Sequence, residues 1–495
     1  TVDECRVRLD SQQVSVKSIL LNRGGYSYLT GPAVPGKEQQ EAAPAPGGST
    51  PSLPWTVRVG SVVLTGNRAE YGLLNHRPAA GFDPSFIVLS TLDLAVDSIY
   101  NRGADIALQI RRMAFTERSG LTVSDMTGDI GMDASGISLA GVTLKTPFSR
   151  IEANISAGEG ILALAPDSPL KADLMADVNT KDLKYLYPAL IPPVLDGRIV
   201  SLALTAAGTL GDIGKAGLDI SSPGHVAFTA DGAARNVLDP GRMEASARFE
   251  GDFRDMAFLE ALLPDSALRR RIAIPDRIRL RGTAGADKGA FSAASTLSTD
   301  GGEIALQGRL DTRSEAYGIE LRCDSFPLNS FLPADSLGLL DLALQAGGSG
   351  FDPLRAQTRG NIRLQVDRAE FRGRDFGGVK LNANLEGGQL SGRLSDRDEA
   401  LRLLLLVSGT LTERKQEVRL TGNIFDFDLA ELGISPQKIG GSFALEAGAS
   451  ASDAGSYTAR IALDSIEVRT RHRTDRIRPT SLSLSSDTTA TRAKL

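Results

Sequence analysis

Cysteine is almost missing from these 495 residues: Cys5 and Cys323 stand alone, far apart in the chain. Neither has a second cysteine or a histidine at ligand spacing, so no disulfide framework and no zinc site organises the fold. Aromatic residues are scarce at 5 %, which removes the stacking platforms that sugars and nucleobases require. The three histidines, His76, His225 and His472, are isolated. His76 and His225 fall in Gly/Pro-rich turns, and each reads as a surface residue. Gly-x-Ser-x-Gly, His-Glu-x-x-His and phosphate-loop patterns are absent. The expectation is therefore no catalytic residue, no metal, no cofactor and no enzyme. Positive charge is not in excess either: the net charge of −5 excludes the broad basic surface of a nucleic-acid binder.

No apolar run approaches the roughly 18 residues that span a bilayer as a helix. The densest, Leu401 to Val407, is interrupted by Arg402. An initiator Met and a signal peptide are also missing. The chain starts on a strand-like piece and stops on Arg-Ala-Lys-Leu. It reads as a segment of a longer protein, and targeting of the parent is not legible in it.

Glycine, at 52 residues, and an apolar fraction of 41 % are what the chain does have. They favour an ordered fold of short strands and turns. Strand candidates open at Glu4–Asp10 and Val14–Leu20. Residues 31–54 then form a Pro/Gly/Ala/Gln tract that cannot bury enough apolar area to fold, and it reads as a flexible insertion. Trp55–Thr65 alternates strictly. About six strands follow between Phe86 and Ser156, including Phe86–Leu94, Ala104–Ile110, Phe115–Val123, Ile137–Leu144 and Arg150–Ser156, as in an antiparallel meander.

From Asp182 a larger period emerges. A helix-like piece ends at Pro188, Pro264, Pro333 and Pro436. Each is followed by an alternating strand that runs into small residues: Arg198–Gly208, Arg277–Gly285, Leu339–Gly347 and Gly441–Gly448. Hairpin signals at Thr299–Gly302 and Glu386–Gly388 join further strands. Recurrence in fixed order points to a repeat architecture. We expect an N-terminal segment over residues 1–181 and repeats over 182–495, with units starting near 182, 256, 326 and 427.

The alternation has one constant feature. Leu202 and Leu204, Ile278 and Leu280, Ile304 and Leu306, and Leu342 and Leu344 each share a parity. So do Ile362 and Leu364, Leu381 and Leu385, Phe443 and Leu445, and Ile461 and Leu463. The opposite parity is mostly charged, amide, hydroxyl or alanine, so one face is greasy and the other wet. Such a sheet closes on a filled interior, packs under a second layer, or curls into a trough that holds an apolar ligand. The helices are too few and short for the second solution. An aliphatic lining suits hydrocarbon, whose exposure costs about 0.8 kcal/mol per methylene. The alternative is a structural or adhesive β-solenoid with a filled core. A carbohydrate-active β-helix lacks its carboxylate clusters and aromatic platforms.

Three stretches carry a family resemblance: Pro54–Leu64, Phe115–Leu121 with Thr146-Pro147-Phe148-Ser149, and the recurring Leu-Pro … Leu-x-Leu units. They are similar to the AsmA-like proteins, and the repeats look like the TamB branch, the inner-membrane subunit of the translocation and assembly module. The resemblance implies an all-β fold with short helices, an elongated repetitive antiparallel sheet curled into a taco-like groove. It implies a periplasmic bridge in a Gram-negative-type envelope that carries phospholipid between inner and outer membranes and is linked to outer-membrane biogenesis. It further implies an inner-membrane anchor helix and an outer-membrane barrel partner, both met by regions beyond this chain. Two charged stretches stay outside this account: Ser395–Glu399, which reads as a solvated turn, and Arg471–Arg478, the wet face of a strand or a contact for anionic head groups. Arg269–Arg271 reads as solvated too.

Overall fold

Alternation becomes strand almost everywhere it occurs. The computed structural model describes all residues except 31–54, 74–75, 159–164, 189–190, 264, 453–455, 487–490 and 495. The insertion and Pro264 therefore lie outside the described residues. Strands make up 68 % and helices 6 %, so the fold is all-β with short helices. Two compact units divide at Ala247/Arg248, inside the strand Glu244–Arg254, where no change of composition marks a boundary.

Unit 1 holds β1 (Val2–Arg8), β2 (Gln13–Asn22), β3 (Gly25–Thr30), β4 (Thr56–Leu73), β5 (Phe86–Arg102), β6 (Asp105–Glu117) and β7 (Thr122–Asp133). It continues with β8 (Gly136–Lys145), β9 (Arg150–Gly158), β10 (Pro169–Asn179), β11 (Ile199–Thr209), β12 (Ile213–Ser222) and β13 (Val226–Arg235), and β14 (Glu244–Arg254) follows. From β4 to β13 each strand pairs antiparallel with the next. The start differs: β2 and β3 both lie parallel to β4, β2 along Thr56–Thr65 and β3 along Arg68–Leu73. A parallel pair needs a long crossover rather than a tight turn, and the β3–β4 connection is the one that contains residues 31–54.

Unit 2 holds β15 (Arg277–Asp287), β16 (Ala290–Ser298), β17 (Glu303–Asp311), β18 (Ala316–Pro327), β19 (Leu337–Ser349), β20 (Arg359–Phe371), β21 (Arg374–Phe376) and β22 (Val379–Glu386). It ends with β23 (Gln389–Arg397), β24 (Leu401–Leu411), β25 (Lys415–Asp428), β26 (Gly440–Ser452), β27 (Tyr457–Arg469), β28 (Thr474–Ile477), β29 (Thr480–Ser486) and β30 (Thr491–Lys494). From β15 on the strands form an antiparallel meander. In each unit the sheet is open and curled rather than closed into a barrel.

Phe115–Val123, expected as one strand, is two. Glu117 Oε2 accepts the Ser119 N–H at 2.6 Å and Gly120 takes a φ of +99°, so a tight turn ends β6 and starts β7. The helix-like pieces are of unequal character. The first is α1 (Thr180–Leu186), capped by the Asn179 side chain on the Lys181 N–H. The second is a 3-10 helix, Met256–Leu262, followed by α2 (Ser266–Arg271). The third is two 3-10 turns, Leu328–Ser330 and Pro333–Asp335. At the fourth, β25 continues to Asp428 and a turn follows, with Asp428 Oδ1 accepting the Ala430 N–H at 2.9 Å.

In unit 2 these breaks are tied together in series. Ala273 donates to the Phe331 carbonyl at 2.9 Å, and Arg271 forks onto Asp335 at 3.0 and 3.1 Å. Arg372 donates from its backbone to Ser336 O and from its guanidinium to Gly433 O, at 2.7 and 2.6 Å, while Arg374 pairs with Glu431. A polar rim results. In unit 1 the turn at residues 76–85 docks on α1, with Phe82 donating to Leu186 O at 3.0 Å and Arg118 reaching Gly81 O at 2.8 Å.

Candidate apolar binding face

Cross-strand register converts the one-sided alternation into rows. In unit 2, Leu306 lies opposite Leu321, which lies opposite Leu344. The row goes on through Leu364, Leu381, Leu394 and Leu405. It steps over Gly422 to Leu445 and Leu463. Directly opposed side chains lie about 4.5–5.5 Å apart at Cβ, so successive leucines touch and make an aliphatic ridge.

Three further rows flank it. On one side Leu280, Leu297, Ile304, Cys323, Leu342, Val366 and Val379 are opposed in turn. Ile278 shares the parity of Leu280. On the other side runs a lower row, Ile319–Ala346–Ile362–Ala383 and, beyond Gly392 and Val407, Leu420–Ala447–Ile461. Next to it Leu385 faces Leu390, and Val418, Ala449, Ala459 and Leu484 follow. There the small side chains leave a cavity of about 370 Å³ bordered by Val418, Ala449, Tyr457, Ala459 and Leu484. Phe443, opposite Ile424, precedes Leu445 on the same parity.

Unit 1 has a row of its own. Leu64, Leu94, Met113, Met126, Leu144 and Ile151 are opposed in turn. Ala176, Leu202, Ile220 and Phe228 complete it. Leu204 belongs to the adjacent row with Leu174 and Leu218.

Exposure decides what these rows are. None of the sixteen candidates is buried. Leu204, Leu306, Ile362 and Ile461 keep 37, 44, 43 and 48 % of their surface in solvent, and the others are half-buried. Among the described residues, the buried apolar side chains of unit 2 are few: Cys323, Phe326, Pro327, Ala400 and Ile424. Among the described residues no second layer covers the rows. Full burial of a leucine is worth about 1.5–3 kcal/mol, so each half-exposed one holds roughly 1 kcal/mol that a hydrocarbon could still realise.

The other face is wet in the same registers. Gln307 opposes Glu320, Glu320 opposes Gln345, and Arg363, Asn382 and Arg393 continue. Leu404 and Leu406 are large aliphatic side chains on this face.

Polar clusters elsewhere serve the fold. Asp182, 5 % exposed, accepts the Thr146 and Ser149 hydroxyls at 2.5 Å each, which clamps the start of α1 to the turn before β9. His76 Nε2 lies 2.8 Å from Asp83, and Asp83 also takes the Ala79 and Ser85 N–H groups. The Cys323 thiol is pushed up by burial, then by Asp324 and Asp341, which makes it inert. No group of three or more His, Cys, Asp or Glu side chains is placed to hold a metal among the described residues.

Sequence reasoning missed Leu321, Leu394, Leu405, Leu64, Leu94, Met113 and Met126. Within β18 and β23 their alternation was there to be read. In β24 it was masked, because Leu403, Leu404, Leu405 and Leu406 fill both parities.

No protein-family model matches the chain, and neither a curated protein nor a solved structure matches it.

Proposed function

We propose that the aliphatic sheet face carries phospholipid acyl chains, and that the chain is a segment of a bridge along which lipid passes across the periplasm between inner and outer membranes. The observation that carries this reading is the leucine ridge Leu306–Leu321–Leu344–Leu364–Leu381, not buried and, among the described residues, with no protein layer upon it. A lipid tail is a flexible aliphatic rod, and the ridge offers it dispersion contacts without a directional polar group. An extended tail of about 20 Å crosses about four strands at their spacing of about 4.8 Å. Uniformity matters for carriage. Neighbouring leucines offer equal contacts, so a tail can shift by one strand without meeting a deep minimum. The role is carriage, not catalysis, and the resemblance to AsmA-like proteins points the same way. The inner-membrane anchor and the outer-membrane barrel partner belong to the same proposal.

A benzophenone side chain at Leu344, Leu445 or Leu204, activated by light in envelopes of Gram-negative cells making the chain, is expected to capture phospholipid. The same probe at Arg279 or Arg363, on the wet parity, is expected to capture little. Equal capture on both faces overturns the proposal.

A further inference from the structure

Ser395–Glu399 and Arg471–Arg478 are distant in sequence and have no part in the aliphatic rows. The fold brings one end of each to the same place. A cavity of about 1100 Å³ opens at the rim of unit 2, lined among others by Asp398, Glu399, Lys438, Arg469 and Arg471. Its wall carries six carboxylates against four cations.

Most of these charges are committed. Arg374 pairs with Glu431 and Arg469 with Asp426. Asp375 binds Arg368 at 2.8 Å. Asp398 and Asp428 accept backbone N–H groups at 2.8 and 2.9 Å. Among the described residues, the side chains of Lys438, Arg471 and Glu399 have no hydrogen-bond or ion-pair partner. Two cations and one carboxylate thus remain for a ligand.

The cavity also meets the apolar rows. Phe427 is part of its lining, and its ring meets Phe443 edge-on at 6.1 Å between centroids. Phe443 stands two residues before Leu445 on the same parity. A molecule with its polar end in the cavity can therefore lay its tail past Phe443 onto the Leu445–Leu463 end of the ridge.

We infer that this cavity recognises an aminophosphate head group, a phosphodiester bearing a primary ammonium. Lys438 and Arg471 take the phosphate, and Glu399 takes the ammonium. Carboxylates outnumber cations around the site, so an anionic phosphodiester without an amine is disfavoured there, while a zwitterion meets complementary charge at both ends. The inference rests on the proposed binding of acyl chains and adds a head-group preference to it.

The test uses the full 495-residue chain and three probes that share one fluorescent acyl chain: phosphatidylethanolamine, phosphatidylglycerol and diacylglycerol. Phosphatidylethanolamine is expected to bind tightest, about tenfold tighter than diacylglycerol, the scale of one or two charge-assisted hydrogen bonds. Lys438→Ala with Arg471→Ala is expected to bring it to the diacylglycerol level. Glu399→Gln is expected to abolish its advantage over phosphatidylglycerol. These side chains are exposed, so an unchanged circular dichroism spectrum is expected alongside. Equal binding of the three probes overturns the head-group assignment and leaves acyl binding standing. Binding of none of them overturns both. If glycerophosphoethanolamine, which has no tail, binds as tightly as the lipid, the cavity serves a soluble ligand and the inference falls.

Discussion

Leu344 stands directly opposite Leu364 on the neighbouring antiparallel strand, and neither is buried. In a filled core that pair would be covered from above. The consequence can be measured as stability. Leu306→Gln and Ile362→Gln, at positions 44 and 43 % exposed, are expected to cost about 1 kcal/mol or less, because most of the burial term is not realised in the free protein. Phe326→Ala is expected to cost about 3–5 kcal/mol, since Phe326 is 4 % exposed and stacks on Phe331 at 5.1 Å. Urea unfolding distinguishes the two. Losses above about 2 kcal/mol at Leu306 and Ile362 would instead favour the filled solenoid.

Two glycines on the same face have opposite tolerances. A Cβ on Gly422, the gap in the leucine ridge, would run into the Leu404 carbonyl and the Leu405 backbone, while one on Gly308 meets nothing within 4 Å. Backbone of a paired strand cannot step aside, so Gly422→Ala is expected to destabilise by about 1–3 kcal/mol. Gly308→Ala is expected to be neutral or to stabilise by up to about 1 kcal/mol through the unfolded chain. Thermal unfolding of the two variants side by side checks both signs.

The Asp182 clamp predicts non-additivity. Asp182→Ala removes the acceptor that the Thr146 and Ser149 hydroxyls share at 2.5 Å and is expected to cost about 1–3 kcal/mol. Once Thr146 is valine and Ser149 is alanine, so that both hydroxyl donors are gone, the further loss of Asp182 should cost less by at least about 1 kcal/mol. Additive losses in a double-mutant cycle would mean that Asp182 acts on α1 alone.

The greasy face was legible wherever the large aliphatic side chains keep to one parity, as in β17, β20 and β22, and in β19 from Leu340 on. It was illegible in β4 to β7 because bulges exchange the parities. Thr91 and Ser98 take φ values of +51° and +57°, and the β5–β6 register shifts at Ser90/Asp93, Ala95/Val96 and Asp97/Tyr100. Each extra residue turns the following side chains over, so Leu64, Leu94 and Met113 line up in space without lining up in the sequence pattern. The rim cavity was illegible for another reason. It is assembled from β21 and the ends of β23, β25, β26 and β27, and no local period joins Glu399 to Lys438 and Arg471.

Acid should release the 76–85 turn before it unfolds unit 1. The Asp83 carboxyl is held down to about 2 from an ordinary 3.8, first by the Ala79 N–H, then by His76 and the Ser85 N–H. The folded state thus binds this proton less readily than the unfolded one. A depressed carboxylate contributes its full stability above its unfolded pKa and loses it as pH falls through the folded value. The window runs from about 4 down to about 2. Within it, hydrogen exchange at the Ala79, Phe82 and Ser85 amides is expected to accelerate, while amides of the β10–β11 ladder stay protected. Asp83→Asn keeps a side-chain oxygen that can accept the N–H groups but removes the titration. In that variant exchange at these amides should be faster at neutral pH and flat across the acid window. A wild-type turn whose exchange does not change between about pH 4 and pH 2, after correction for intrinsic rates, would show that Asp83 does not hold it.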